Sequence, residues 1–197
     1  MSTRQAAHPI EPLFHSRWST RAFTGEEVSD AGLFSIFEAA RWAPSGGNTQ
    51  PWRFVYAKRN TPEWKTFLGF INEKNRLWAD KAAALILLVS RTVRDRGDGK
   101  GLQPSRFHAF DAGAAWANLA NQAHAQGLST RAIGGYDEEA ARAALAIPAD
   151  HALHIVIALG HPSADKSALP EDLRAKDVPN DRLPVEQLAA AGHFGFA

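Results

Sequence analysis

Two nearly uninterrupted runs of apolar residues predict the centre of the fold. Residues 82–90 and 152–159 are each of strand length and almost free of polar side chains. Such runs are typical of strands buried on both faces of a sheet. Residues 52–57 alternate between apolar and polar and predict a further strand. A central strand buried on both faces requires helices on both sides, so the pattern favours a layered arrangement of helices around a sheet.

Spacings of three and four residues predict the helices. Ser29 is a favourable N-cap for a helix over residues 30–42. The apolar residues of that helix recur on one face, at Leu33, Ile36, Phe37 and Ala40. The longest candidate, residues 105–126, is rich in alanine and has little polar surface, which leaves open whether it lies in the core or at a subunit interface.

Two segments are expected to lack packed structure. Residues 91–104 carry three glycines and charges of both signs, so they form either a lid over a substrate or a plain surface loop. Residues 163–184 contain three prolines and many charges with little periodicity, which predicts an extended arm along the surface. Residues 72–81 are polar and charged, and no element is assigned to them.

Composition narrows the class of protein. The 197 residues are 45% hydrophobic and 22% charged, as expected of a single domain with a sizeable core. The net charge of +1 indicates neither a nucleic-acid nor a membrane partner. The chain has no cysteine, which excludes disulfides and thiol chemistry. No signal-peptide pattern or membrane-spanning run is recognisable, so a soluble, cytoplasmic protein is expected.

The densest group of turn-forming and polar residues lies between two prolines, Pro44 and Pro51. The prolines exclude regular structure there, and Gly46 and Gly47 allow backbone angles closed to other residues. Donors and acceptors come from Ser45, Asn48, Thr49 and Gln50. The segment is either a polar loop between a helix and a strand or a binding loop. Its density of polar residues and glycines beside a tryptophan favours the binding loop.

A second polar group precedes the first long helix. Arg17 and Arg21 stand four residues apart, with Ser19 and Thr20 between them. Guanidinium and hydroxyl groups are suited to binding a phosphate. A solvated surface turn is the alternative interpretation.

The sequence offers no evident acid–base pair, nucleophile or metal site. His151 and His154 are three apart on a predicted strand, which places them on opposite faces, and no HExxH pattern is present. The serine at 45 lacks the spacing of a nucleophile elbow, and the glycines at 134 and 135 do not form a dinucleotide fingerprint. No metal is therefore expected. If the chain is an enzyme, a cofactor supplies its reactive atoms.

Three motifs resemble those of the nitroreductase family, which comprises FMN-dependent, dimeric NAD(P)H oxidoreductases. Residues 44–52, PSGGNTQPW, resemble its PS-x-x-N-x-QPW loop. Residues 17–23, RWSTRAF, resemble its R-x-S-x-R/K-x-F signature. The GL at 127–128 and the IGGYD at 133–137 resemble its GL…I-x-GFD segment. The motifs follow the family's order, and the resemblance covers nearly the whole chain.

The resemblance implies a fold and an assembly. An α+β fold is expected, with a central, mainly antiparallel sheet covered by helices on both faces in three αβα layers. Residues 1–197 would form one FMN-binding domain. Two such chains would form a homodimer with FMN at the subunit interface, and each chain would carry an extended C-terminal arm.

The resemblance also implies the residues that bind the FMN phosphate and ribityl chain. Arg17, Ser19 and Arg21 would hold them, and Trp18 belongs to the same motif. Arg182 resembles a phosphate-binding arginine of the family's C-terminal arm. Some members carry a lysine two residues before it, where this chain has Asn180.

The flavin ring would be bound by three other parts of the sequence. The backbone N–H groups of Gly134 and Gly135 would face N5 and O4, and Gly134 departs from the non-glycine residue that the family often has there. Asn75 would lie near the pyrimidine edge. The other subunit would cover the ring with its 44–50 loop, through Pro44, Ser45, Gly46, Asn48 and Gln50.

The implied reaction is a ping-pong oxidoreduction. NADH or NADPH gives a hydride to flavin N5 and leaves, and a nitroaromatic, quinone or similar acceptor is then reduced at the same face. Residues 91–104 and Trp78 are the candidates for selecting the acceptor. Other flavin reactions, such as enone reduction, reductive dehalogenation or substrate oxidation, would use the same motifs. A non-catalytic dimeric flavin-binding or regulatory protein is the further alternative.

Overall fold

A computed structural model describes residues 4–196 and contains six strands and seven α-helices within that range. The strands are β1 (Trp52–Lys58), β2 (Ala84–Arg91), β3 (Val93–Asp95), β4 (Leu102–Pro104), β5 (Ser129–Ile133) and β6 (His151–Gly160). The helices are α1 (Pro12–Ser16), α2 (Asp30–Arg41), α3 (Glu63–Phe70), α4 (Glu73–Ala79), α5 (His108–Ala125), α6 (Glu138–Ala144) and α7 (Glu171–Arg174).

Strands β2 and β6 form the centre of a four-stranded antiparallel sheet of order β1-β2-β6-β5. Their side chains are almost entirely buried, and Ile86 lies opposite Ile157 in the register. The two apolar runs of the sequence therefore mark the central strands, as predicted. Residues 129–133, which are not among the strands predicted from the sequence, form the edge strand β5.

Helices cover both faces of this sheet, which confirms the three-layer α+β fold. On one face, Leu85 and Leu87 pack with the aromatic residues of α3 and with α4 and α6. On the other face, Ile86 and Leu88 pack with α2 and α5. Adjacent residues of β2 thus enter opposite cores, as the two-residue period of a strand requires.

Helices α2 and α5 follow the predicted patterns at their ends. The Ser29 side chain accepts a hydrogen bond from the Gly32 N–H at 3.1 Å and so caps α2. Gly127 ends α5 with a φ of +74°, a left-handed angle that favours glycine. Only one face of α5 is buried in its own chain, and Phe110 on the other face is 77% exposed.

Three segments contain structure that the sequence did not predict. Residues 93–104 form the two-stranded antiparallel hairpin β3–β4, and the lid role of segment 91–104 stays a prediction. The charged stretch 72–81 contains helix α4, whose N-cap is Asn72. Residues 163–177 include α7, a buried Leu173 and a buried Asp177, so the prediction that segment 163–184 lacks a packed element was wrong for this part. From residue 178 to residue 196, no residue is buried.

Candidate functional site

A cavity of about 460 Å³ opens where the N-terminal motif, β5 and the C-terminal segment meet. Its lining brings together residues from distant parts of the sequence: Trp18, Ser19, Arg21, Arg131, Lys176, Val178, Asn180 and Arg182. Four of these eight residues are cationic, and none is acidic. The structure thus gathers four of the predicted cofactor-binding residues, Trp18, Ser19, Arg21 and Arg182, around one cavity.

The three arginines that line this cavity have no ion-pair partner in the described chain, although the buried Asp177 lies close by. Within residues 4–196, no ion pair to a carboxylate involves Arg21, Arg131 or Arg182. Arg17 lies beside them, half-buried, with its Nη1 3.5 Å from Ser19 Oγ. Burial lowers the pKa of Arg17, and the positive charges of Arg182 and Arg4 lower it further. Such a concentration of like charge favours binding of an anion.

A buried carboxylate that sequence reasoning missed holds the N-terminal motif in place. Asp177 is 1% exposed and accepts hydrogen bonds from Thr20 Oγ1 at 2.9 Å and from the Arg21 N–H at 2.7 Å. Lys166 Nζ lies 3.4 Å from its Oδ2. Bonds to an ionised acceptor are among the stronger hydrogen bonds in proteins. Asp177 therefore fixes the backbone from which Arg21 reaches the cavity.

Two cations of the cavity, Arg131 and Lys176, were also missed. Arg131 projects from β5, donates a hydrogen bond to the Ser19 carbonyl and lies 5.7 Å from the centre of the Trp78 ring. Burial is the main cause of its lowered pKa. Trp78 is 2% exposed beneath it and packs in the core, and its part in selecting the acceptor stays a prediction. An arginine inside an amphipathic strand carries no sequence signal that reveals its partners.

The two glycines after β5 have different surroundings. The Gly135 carbonyl accepts hydrogen bonds from the Asn72 N–H at 3.1 Å and from Asn75 Nδ2 at 3.4 Å. A Cβ on Gly135 would lie 2.2 Å from Asn72 Nδ2, whereas one on Gly134 would meet nothing within 4 Å. Gly135 is thus required for the close approach of α4, and Gly134 borders open space. Asn75 lies at this turn, and its place near the pyrimidine edge of the flavin stays a prediction.

The 44–52 loop is held in an unusual backbone conformation. Gly47, Asn48 and Gln50 all have positive φ, at 61°, 54° and 46°. The Gln50 N–H donates to Ser45 Oγ at 3.1 Å, and the Gly46 N–H donates to the buried Asp111 of α5 at 3.1 Å. Positive φ at non-glycine residues is costly and is enriched at functional sites.

This loop does not line the cationic cavity of its own chain. Instead, Gly47, Asn48, Thr49 and Pro51 line a second cavity of about 310 Å³, together with residues of β1, β2 and hairpin β3–β4. The predicted site residues at the cationic cavity and in the loop therefore form two separate groups in one chain, and Asn75, Gly134 and Gly135 lie apart at the turn after β5. Arg17, Trp18, Ser19, Arg21 and Arg182 form one, and the loop containing Pro44, Ser45, Gly46, Asn48 and Gln50 forms the other.

The histidines singled out in the sequence have separate partners. His151 Nδ1 lies 2.8 Å from Asp150, whereas His154 Nε2 lies 2.6 Å from the buried Ser90, which also contacts His108. Burial lowers the pKa of His154, and the neighbouring His108 lowers it further. No group of three or more potential metal ligands occurs within residues 4–196. Over the same range, no helix is both long and apolar enough to cross a membrane.

The profile of the nitroreductase family matches residues 15–67 and 59–161. These segments span the N-terminal arginine motif, the 44–52 loop, the central strands and α5. The chain therefore belongs to the nitroreductase family, and the resemblance seen in its motifs is confirmed.

Solved structures and curated proteins extend this relationship. A crystal structure described as an oxidoreductase containing FMN is 40% identical, with a TM-score of 0.94 over 98% of this chain and 97% of that one. A candidate nitroreductase from Desulfovibrio desulfuricans, solved in complex with FMN, is 28% identical, with a TM-score of 0.70 over 95% of this chain and 100% of that one. A protein of Archaeoglobus fulgidus, named as a candidate NADH dehydrogenase/NAD(P)H nitroreductase, is 26% identical over 82% of this chain and 90% of its own length.

The two glycines after β5 form a matched pair for mutation. Gly135→Ala is expected to displace Asn72, whose Oδ1 caps α4 by accepting from the Asn75 N–H at 3.0 Å. Loss of such a cap lowers the free energy of unfolding by about 1 kcal/mol. Gly134→Ala is expected to change it by no more than about 0.5 kcal/mol. Urea denaturation of both variants measures the difference, and equal stabilities would refute the packing argument.

Proposed function

We propose that this chain is an FMN-dependent oxidoreductase that uses NADH or NADPH to reduce a nitroaromatic, a quinone or a similar small acceptor. The observation that carries the proposal is the cavity lined by four cations, three of which are arginines without a carboxylate partner in the described chain. Family membership and the FMN found in two related structures support the identity of the anion.

The residues at this site fit the chemical groups of FMN. A phosphate is a dianion that suits several guanidinium and ammonium groups, and Arg21, Arg131, Lys176 and Arg182 supply them. Some members of the family have a lysine where this chain has Asn180. Lys176 supplies an ammonium group at the cavity in its place. A Cβ on Gly134 would meet nothing within 4 Å, so the turn is open where the ring would lie, and the amide of Asn75 lies at the same turn.

In this proposal, each group of residues has a separate role. The cations and Ser19 bind the phosphate and the ribityl chain. Backbone N–H groups at Gly134 and Gly135 bind the reactive edge of the ring. FMN held there would supply the redox chemistry between NADH or NADPH and the acceptor.

A homodimer would bring the two groups of site residues together. The loop is bound to Asp111 near the start of α5, and Ser16, just before the arginine motif, lies 2.7 Å from His124 near its end. At about 1.5 Å per residue, these contacts are about 20 Å apart along α5, so one chain does not place both groups on one ring. Antiparallel pairing of two α5 helices would place the start of one beside the end of the other.

The exposed face of α5 is suited to such pairing. It carries Phe110, Gly113 and Ala117, which are all exposed within the single chain. Small residues allow two helices to approach closely, and an aromatic side chain buries a large apolar area on contact. The 44–50 loop would then cover the flavin of the partner subunit, as the family resemblance implies.

The proposed function predicts a yellow protein whose colour depends on the reductant. The visible absorption spectrum of the freshly purified protein is expected to show flavin bands that bleach when NADPH or NADH is added under argon. Bands that persist would indicate a non-catalytic flavin-binding protein. A colourless protein that also fails to take up added FMN would overturn the proposal.

Arg21→Gln is expected to weaken FMN binding by about tenfold or more, because a hydrogen bond to a charged group contributes about 1.5–3 kcal/mol. Calorimetric titration of flavin-free protein with FMN measures the change. Arg96→Gln is the matched control, because Arg96 is exposed on hairpin β3–β4 and does not line the cationic cavity. Equal affinities of the two variants would remove Arg21 from the site.

Ala117→Arg is expected to convert the proposed dimer into a monomer and to lower its flavin content, because it places a large charge on the exposed face of α5. Light scattering reports the mass, and absorption reports bound flavin per chain. Ala144→Arg on the exposed side of α6 is the control and should leave both unchanged. A wild-type monomer that retains FMN would contradict the shared site.

A further inference from the structure

We propose that the second cavity, between residues 47–51 and hairpin β3–β4, binds an anionic group, a carboxylate or a phosphate, of the molecule that reacts at the flavin. The cavity measures about 310 Å³ and is lined by Arg53, Arg91 and Arg94. Anion binding follows from these residues alone. Assigning the anion to a reacting molecule rests on the proposed function, because that function places the 44–50 loop over the flavin.

The arginines of this cavity carry uncompensated positive charge. Within residues 4–196, neither Arg53 nor Arg94 forms an ion pair with a carboxylate. Arg53 Nη1 donates only to main-chain oxygens, those of residues 50 and 52 at 2.9 and 2.6 Å. Arg91 is paired through Nε with Asp150 at 3.1 Å. Two of the three guanidinium groups therefore lack a counter-charge.

The one acidic residue among those that line the cavity has another partner. Asp95 is exposed, and its Oδ1 accepts a hydrogen bond from the Gly97 N–H at 2.8 Å, within the turn of the hairpin. Three arginines, Asp95 and the Asp150 paired with Arg91 sum to a net charge of +1. An anion carried into the cavity therefore meets an attractive field.

Two buried polar atoms beside the cavity have no hydrogen-bond partner. These are Arg94 Nε and Thr49 Oγ1, and both belong to residues that line the cavity. Buried polar groups are almost always satisfied in native proteins, so neighbouring exceptions point to a polar occupant. An anion would give Arg94 Nε the acceptor that it lacks.

Arg94 also connects this cavity to the proposed flavin-covering loop. Its Nη1 donates to the Gly46 carbonyl at 3.4 Å, and a Cβ on Gly47 would lie 3.3 Å from the same nitrogen. The hairpin therefore contacts the loop directly, and an anion held by Arg94 lies beside the loop. The hairpin β3–β4 thus acts as the part of the site that selects the reacting molecule by its charge.

The test compares Arg94→Gln with Arg96→Gln in the FMN-containing protein. Arg96 lies two residues further along the hairpin, is exposed and does not line the cavity. With NADH as donor, the kcat/KM ratio of 4-nitrobenzoate over the neutral 4-nitrobenzamide is expected to fall about tenfold in Arg94→Gln. In Arg96→Gln the ratio should stay within about twofold of the wild-type value.

A second pair of substrates identifies the source of the anion. If the anion is the 2′-phosphate of the donor, Arg94→Gln lowers the kcat/KM ratio of NADPH over NADH, and the nitrobenzoate ratio stays unchanged. If the anion is the carboxylate of the acceptor, Arg94→Gln lowers the nitrobenzoate ratio, and the kcat/KM ratio of NADPH over NADH stays unchanged. If Arg94→Gln and Arg53→Gln both leave both ratios at their wild-type values, the proposal is overturned. Arg53→Gln is the second variant of this cavity. Because Arg53 is exposed, its replacement is expected to leave the fold intact.

Direct binding separates this proposal from the proposed function. If the protein shows no turnover with NADH or NADPH, the proposed function fails, and calorimetric titration with 4-nitrobenzoate and with 2′,5′-ADP decides the anion site. Binding of either probe that weakens about tenfold in Arg94→Gln but not in Arg96→Gln supports the site. Absence of binding by the wild-type protein, or equal binding by both variants, overturns it.

Discussion

Like charges gathered around one cavity are the constraint on which the rest of this site depends. Arg21, Arg131, Lys176 and Arg182 face a shared space. Burial lowers the pKa of the neighbouring Arg17, and the positive charge of Arg182 lowers it further. Such a cluster of like charges is stable only if each cation has its own hydrogen-bond acceptors. Arg131 is held by the Ser19 carbonyl and Arg182 by the carbonyls of residues 180 and 181. Neutral main-chain acceptors fix the guanidinium groups without cancelling their charge, which leaves that charge available to an anion.

Asp177 explains how this site is assembled from the two ends of the chain. It is a buried carboxylate, which would be costly to desolvate without partners. The Thr20 hydroxyl, the Arg21 N–H and Lys166 provide those partners. Because these bonds join residue 177 to residues 20 and 21, the C-terminal segment and the arginine motif take a fixed relative position. The packed α7 and its buried Leu173 hold the C-terminal side of this contact.

The features that were predicted correctly are those determined by residues close together in the sequence. The central strands β2 and β6 are long apolar runs, α2 has both a capping serine and an apolar face, and Gly127 ends α5. Helix α4 was missed because its exposed face is charged and only Trp78 and Ala79 are buried. Helix α7 was missed because four residues are too few to show a period.

The candidate site was predictable only in part, for a related reason. The motifs identified Arg17, Ser19, Arg21 and the 44–50 loop, since their residue types and spacing are unusual within a short window. Arg131, Lys176 and Asp177 act through contacts that cross more than a hundred residues of sequence or join separate elements. No local pattern encodes such contacts, because they arise only when β5 and the C-terminal segment reach the same edge of the fold.

The division of the site residues within one chain has a further consequence for specificity. The hairpin β3–β4 contacts the 44–50 loop through Arg94, and the loop is bound to the start of α5. In the proposed dimer, the loop and hairpin of one subunit therefore act on the flavin whose phosphate is held by the other. Cofactor retention and substrate selection would then depend on different chains at each site. Because the cationic cavity and the cavity at the hairpin share no lining residue within one chain, a substitution on the hairpin removes no cation from the cavity that binds the cofactor.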